Sequence, residues 1–133
     1  MVGGRVLDGE RKSTSPFFME GHGANKRICL LMIHGFTGHP GDFRGMAAYL
    51  NDAGYTVQAI RLPGHGTTPE EMRRTRWEDW WRHTLVSYDL LQGLDPSRII
   101  VPIGFSMGGL LAMRLSLARP VAGVVTLAAP VML

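Results

Sequence analysis

Residues 100–113, IVPIGFSMGGLLAM, carry an apolar run into a serine flanked by glycines and out into a second apolar run. The first half reads as a buried strand, and the second, extended through SMGGLLAMRLSLA to Pro120, as a helix. At such a joint the glycines have a mechanical purpose. Gly104 and Gly108 lack side chains, so strand and helix can approach closely while Ser106 takes a strained backbone conformation that projects its Oγ above the sheet. As a bare G-x-S-x-G pattern the match is weak, since roughly 0.1 such matches arise by chance at this composition. Its place at a strand-to-helix junction is what makes Ser106 a candidate nucleophile, against the plainer reading of a serine in a tight turn.

Outward from this joint the chain alternates. ICLLMI (28–33) is a continuous apolar run of the kind a strand covered on both faces requires. HPGDFRGMAAYLNDAG (39–54) follows as a helix, with Pro40 in its first turn, Phe43, Ala47 and Leu50 along one face, and Gly54 as its stop. YTVQAIRL (55–62) is the next strand and PGHGTTPEEMRR (63–74) a loop. Thr75 and Glu78 make a T-x-x-E capping box for a helix over 76–92 that places Trp77, Trp81, Leu85 and Tyr88 on one face and ends at Gly93. RIIVPIG (98–104) and VAGVVTLAA (121–129) are further strands, and PFFME (16–20) begins an edge strand. Strands separated by helices predict an α/β fold, a mostly parallel sheet with helices on both faces. Residues 1–15 read as a loose leader, and 16–133 as part of a single domain.

The composition excludes several function classes. The 133 residues carry a net charge of +3 from 14 basic side chains, 12 of them Arg, spread along the chain without the aromatic interleaving of a nucleic-acid surface. The Arg73, Arg74 and Arg76 cluster reads as a solvated loop. Cys29 is a lone thiol inside an apolar run, a small buried hydrophobe suited to a reducing compartment. No signal peptide is visible and no apolar run approaches the ~20 residues of a membrane span, which leaves the cytoplasm as the default location. The five histidines and Cys29 show no metal-ligand spacing, and no nucleotide-binding glycine motif occurs, so neither a metal nor a cofactor is expected.

IHGFTG (33–38), at the end of the first buried strand, supplies a second element. A serine that attacks an acyl carbon needs two N–H donors aimed at the developing oxyanion. Met107, after the nucleophile, would give one and Phe36 the other, with His34 and Gly35 turning the chain so that the Phe36 amide faces inward. His34 thus shapes a loop rather than serving as the base, His65 is a hydrogen-bonded turn histidine, and His22, His39 and His83 have surface or packing roles.

Taken together, LLMIHGFTGHPGDFRGMAAYLNDAGYTVQAIRLPGHGTTPEE, WEDWW, GFSMGG and PVAGVVTLAAP resemble the α/β-hydrolase superfamily, in particular its small bacterial carboxylesterases and monoacylglycerol lipases. The resemblance implies Ser106 as nucleophile and Phe36 and Met107 as oxyanion-hole amides. It also implies a triad acid and histidine on later strands, behind a cap inserted after the strand that matches VAGVVTLAA. No His, Asp or Glu follows Ser106 in this chain, so 16–133 corresponds to the N-terminal half of such a domain. Arg61 departs from the acidic residue many hydrolases place before the GHG loop. The expected substrate is a small acyl ester, with transfer to another acceptor, as in acyltransferases or thioesterases, as a neighbouring alternative. A hydrolase-like binding protein without turnover is the alternative from another class. VAGVVTLAA, unbroken and apolar, is expected to be left as an edge that pairs with another copy or with a separate C-terminal half.

Overall fold

The computed structural model describes residues 13–129. Most of the predicted leader therefore lies outside the described residues. Five strands form one sheet: β1 (Phe17–Met19), β2 (Ile28–Ile33), β3 (Thr56–Ile60), β4 (Ile99–Phe105) and β5 (Val125–Leu127), in the order β1-β3-β2-β4-β5. Only β1 runs antiparallel, pairing Phe17 with Ala59. β2 is the central strand, parallel to β3 from Cys29 opposite Thr56 to Ile33 opposite Ile60, and parallel to β4 from Ile28 opposite Ile99 to Ile33 opposite Gly104.

Alternation along β2 divides the core in two, because successive side chains of a strand point to opposite faces. Cys29, Leu31 and Ile33 pack with Trp80, Tyr88 and Leu91 of α3 (Trp77–Leu94) and with Leu111, Ala112 and Leu115 of α4 (Met107–Ala118). Leu30 and Met32 pack on the other face with Phe43 and with Ala47 of α1 (Arg44–Asp52). Helices thus cover both faces, as the apolar run of β2 demands. Burial pushes the Cys29 thiol up to about 11, so it is an inert part of this core.

Several expected local features are corrected. The helix expected from Pro40 opens instead as a 3-10 turn over Pro40–Phe43 before α1 begins at Arg44. His39 Nδ1 accepts from the Gly41 N–H at 3.1 Å, and Asp42 accepts from the His39 N–H at 3.1 Å, which favours the tighter turn. α1 is stopped as expected by Gly54, at φ +105°. The loop after β3 contains a short helix, α2 (Pro69–Arg73), capped by Thr68, whose Oγ1 accepts from the Glu71 N–H at 3.1 Å.

The expected Thr75/Glu78 capping box is not formed. Thr75 Oγ1 donates back to Met72 O at 2.8 Å, and Asp79 caps α3 instead by accepting from the Arg76 N–H at 2.9 Å. The buried face of α3 is Trp80, Thr84, Tyr88 and Leu91, in place of the expected Trp77, Trp81, Leu85 and Tyr88. Trp81 and Leu85 flank that face, while Trp77 is 47% exposed with the Arg114 guanidinium 5.0 Å over its ring. VAGVVTLAA shrinks to the three paired residues of β5, whose Val125 is 41% exposed, because only Ile103 to Phe105 lie opposite it.

Two glycines give opposite expectations on substitution. A Cβ on Gly108 would lie 2.1 Å from Ile33 O, and backbone on both sides leaves it no room. Gly93, inside α3, would meet nothing within 4 Å. Gly108→Ala should therefore lower the thermal midpoint sharply or prevent folding, whereas Gly93→Ala should stabilise by about 0.5–1 kcal/mol. Thermal denaturation of the two variants checks the pair.

Candidate active site

Ser106 is the single-residue joint between β4 and α4, with φ 55° and ψ −122°. A positive φ in a residue with a Cβ stores about 1–3 kcal/mol and persists only where the surroundings enforce it. Here they do. The Ser106 N–H donates to Leu127 O at 2.8 Å and Ser106 O accepts from the Gly109 N–H at 2.8 Å, so both sides of the strained residue are tied. A Cβ on Gly104 would sit 2.1 Å from Gly108 O, and one on Gly108 2.4 Å from His34 O. The glycines on either side of Ser106 are therefore required by backbone packing, as their placement in the sequence predicts.

The turn after β2 lies directly against this joint. A Cβ on Gly35 would be 3.1 Å from Ser106 Cβ and 3.1 Å from Phe105 O. The turn is closed by the Gly38 N–H donating to Gly35 O at 3.0 Å, with Thr37 at φ 66° in its third position. A left-handed third residue is the mark of a type II turn, usually filled by Gly or Asn, so nothing in the type of Thr37 signals it. Phe36 occupies the second position. Among the described residues, neither its N–H nor that of Met107, the first residue of α4, has a hydrogen-bond partner. Leading amides of a helix are free to bind anions; Met107 follows Ser106 directly, and Phe36 follows Gly35, which packs against it.

His34 is buried and fully engaged. Its Nε2 accepts from the Leu62 N–H at 3.0 Å, so the ring proton is on Nδ1, which donates to Gly35 O at 2.8 Å. The imidazole joins the β2 turn to the chain leaving β3 and has no lone pair left for Ser106. His65 is also buried, with Nδ1 donating to Pro63 O at 3.1 Å. His39 caps the 3-10 turn, and the remaining histidines, His22 and His83, make no bond to the serine. Among the described residues the Ser106 hydroxyl has no acid–base partner, and no group of three or more His, Cys, Asp or Glu is placed to hold a metal ion. No helix among them is long and apolar enough to cross a membrane. His65 is the hydrogen-bonded turn histidine expected, and what sequence reasoning did not foresee is that its ring and that of Trp80 pack against Phe36. Only the PGHG turn and the triple-tryptophan helix start hinted at them.

Burial holds His34 down from its ordinary 6.5 to about 4, with its bond to Gly35 opposing this. The unfolded chain therefore takes up a proton near pH 6.5 that the folded chain refuses until about pH 4. Stability supplied by neutral His34 is fully present above 6.5 and falls away between 6.5 and 4, by up to about 3 kcal/mol. His65 and His83, also lowered by desolvation, act in the same direction. Urea denaturation across this range should show the decline, and His34→Gln should reduce its slope while lowering stability at neutral pH.

Comparison with known proteins bears on the fold and the family. A family model for the alpha/beta hydrolase fold matches residues 28–133. A carboxylesterase of Bacillus subtilis (strain 168) is 38% identical over 108 residues, covering 81% of this chain and 43% of that protein. A thermostable monoacylglycerol lipase of Bacillus sp. (strain H-257) is 38% identical over 117 residues, covering 87% of this chain and 44% of that protein. A solved structure from work on LipS and LipT, two metagenome-derived lipolytic enzymes, superimposes with a TM-score of 0.71 at 34% identity, over 86% of this chain and 45% of that one. The chain thus spans less than half the length of these relatives. With a family model over most of its residues and a mostly parallel sheet clothed by helices on both faces, the chain belongs to the alpha/beta hydrolase fold family.

Proposed function

We propose that this chain is the N-terminal part of a serine carboxylic-ester hydrolase and carries its nucleophile, Ser106, and its oxyanion donors, the N–H groups of Phe36 and Met107. The observation that carries the reading is Ser106 at φ 55° on the β4–α4 joint, packed against a turn whose Phe36 N–H is free. Strain of this kind is retained where it aims a reacting group. Gly35, Gly104 and Gly108 permit the approach, and His34 holds the turn.

In the reaction, Ser106 Oγ attacks the ester carbonyl carbon as its proton passes to a base. The carbonyl oxygen becomes an oxyanion that accepts from both amides, each such donor lowering the barrier by roughly 2.7–4 kcal/mol. Collapse breaks the ester C–O bond, the alcohol leaves with the proton, and water then hydrolyses the acyl-serine by the same route. The curated relatives are more than twice as long as the stretch this chain matches, which leaves room in a longer protein for the base and its acid partner. The curated relatives named carboxylesterase and monoacylglycerol lipase favour a small acyl ester as substrate.

The bare Ser106 hydroxyl favours a second statement, about the 133 residues alone. Loss of a triad histidine costs on the order of 10⁶ in kcat. The chain alone should be nearly silent toward p-nitrophenyl esters, and β5, at the edge of the sheet among the described residues with Val124 and Val125 exposed, should associate with another copy or with a C-terminal half. A monodisperse monomer by light scattering with Ser106-dependent turnover would contradict this. In the full-length protein, Ser106→Ala is expected to abolish ester turnover and fluorophosphonate labelling together, and labelling that survives would place the reactive residue elsewhere.

A further inference from the structure

Phe36 is 55% exposed, yet its ring has a fixed seat. Its centroid lies 5.9 Å from the His65 ring and 5.7 Å from the Trp80 ring. His65 and Trp80 meet edge to face at 5.2 Å, and His65 lies 5.0 Å from His34 on its other side. Four rings from the β2 turn, the loop after β3 and α3 thus form one cluster against the turn that presents the Phe36 amide.

Polar bonds lock the cluster. Pro63 O accepts from both Trp80 Nε1 and His65 Nδ1, each at 3.1 Å, and Trp80 Nε1 also reaches Thr75 Oγ1 at 3.1 Å. With its proton on Nδ1, His65 is left with a buried Nε2 that has no partner. Buried polar atoms without partners are uncommon, and one beside a candidate site calls for a reason. A phenyl ring would fill the space without that cost but could not donate to Pro63 O. The imidazole therefore serves to clamp the loop after β3 to itself while its ring packs steeply against that of Phe36.

The Phe36 turn needs such support. Thr37 at φ 66° is unfavourable for a β-branched residue, and among the described residues one backbone bond closes the turn and the Phe36 N–H has no partner. An oxyanion donor is effective only if it is aimed before the charge develops. We propose that His65 and Trp80 are positioning residues for the Phe36 amide, a two-ring brace that holds the turn beside Ser106 without touching substrate. This rests on the serine-hydrolase reading given above.

In the full-length enzyme, His65→Leu and Trp80→Leu should each lower kcat by about tenfold to a hundredfold with KM changed by less than about twofold, since the amide acts in the transition state. Trp80→Phe, which keeps a ring against Phe36, should recover most of the kcat lost in Trp80→Leu. Unchanged kcat in folded leucine variants, or a loss wholly in KM, overturns the brace. Should the leucine variants fail to fold, proton NMR decides the matter. Phe36 ring signals displaced by the neighbouring rings, and moving in Trp80→Phe, support it, while Phe36 shifts of an unstacked ring overturn it. Ser106→Ala in the same assay separates the two proposals: turnover that survives it sinks the serine reading, and the NMR result alone then judges the brace.

Discussion

The close backbone approach of α4 to the ends of β4 and β2 is the constraint on which everything else in the structure depends. Gly108 lies where any side chain would strike Ile33 O and His34 O, and Gly104 lies where one would strike Gly108 O. Because α4 can enter so deeply, the chain must reverse direction within one residue, and Ser106 absorbs that reversal at φ 55°. The same depth brings the turn after β2 into contact with the serine. Strain, exposure of the first helical amide and proximity of the second turn are three consequences of one packing distance.

A second tie works across the carboxyl edge of the sheet. β2 and β3 are joined along their length by the sheet ladder, but beyond Ile33 and Ile60 that ladder ends. His34 continues the connection, accepting from the Leu62 N–H and donating to Gly35 O. A side chain used as a backbone substitute must stay neutral, because an imidazolium has no lone pair to accept with. Burial supplies that neutrality. The loop after β3 is thereby held in register with the β2 turn, which allows His65 to reach Phe36. The edge of the sheet is stitched by side chains where backbone pairing stops.

The sheet and its helices were legible in the sequence because apolar runs and glycine stops have strong physical causes. β2, buried on both faces, could read only as an apolar run, and Gly104 and Gly108 could be assigned a purpose from the joint they flank. What was illegible were choices between nearly equal local options. Thr75 and Asp79 both have the chemistry of a cap. Thr75 Oγ1 is engaged elsewhere, donating to Met72 O and accepting from Trp80 Nε1, while Asp79 accepts from the Arg76 N–H. The two Thr75 engagements cross between segments, and a local motif does not contain them. Thr37 shows the other limit, a left-handed residue whose type carries no hint of its conformation. Ser106 and its neighbours on the motif were visible, while the rings behind Phe36 were not, since their relation exists only across three segments.

The joint at Ser106 also depends on the weakest element of the sheet. The Ser106 N–H has its partner in Leu127 O, at the end of a three-residue strand whose other edge pairs with nothing among the described residues. Hydrogen bonds at the end of a short edge strand break more readily than those of a central ladder, because few neighbouring contacts must be lost with them. Ala128, following at φ 53°, adds a second non-glycine residue in the left-handed region just beyond that bond. The strained serine is therefore fixed firmly from the side of β2 and α4, where glycine packing leaves no freedom, and more loosely from the side of β5. Any chain that pairs with the outer edge of β5 would raise the cost of releasing Leu127 and tighten the serine joint without contacting it. Pairing on the outer edge of β5 and the setting of Ser106 are thus linked through that one hydrogen bond.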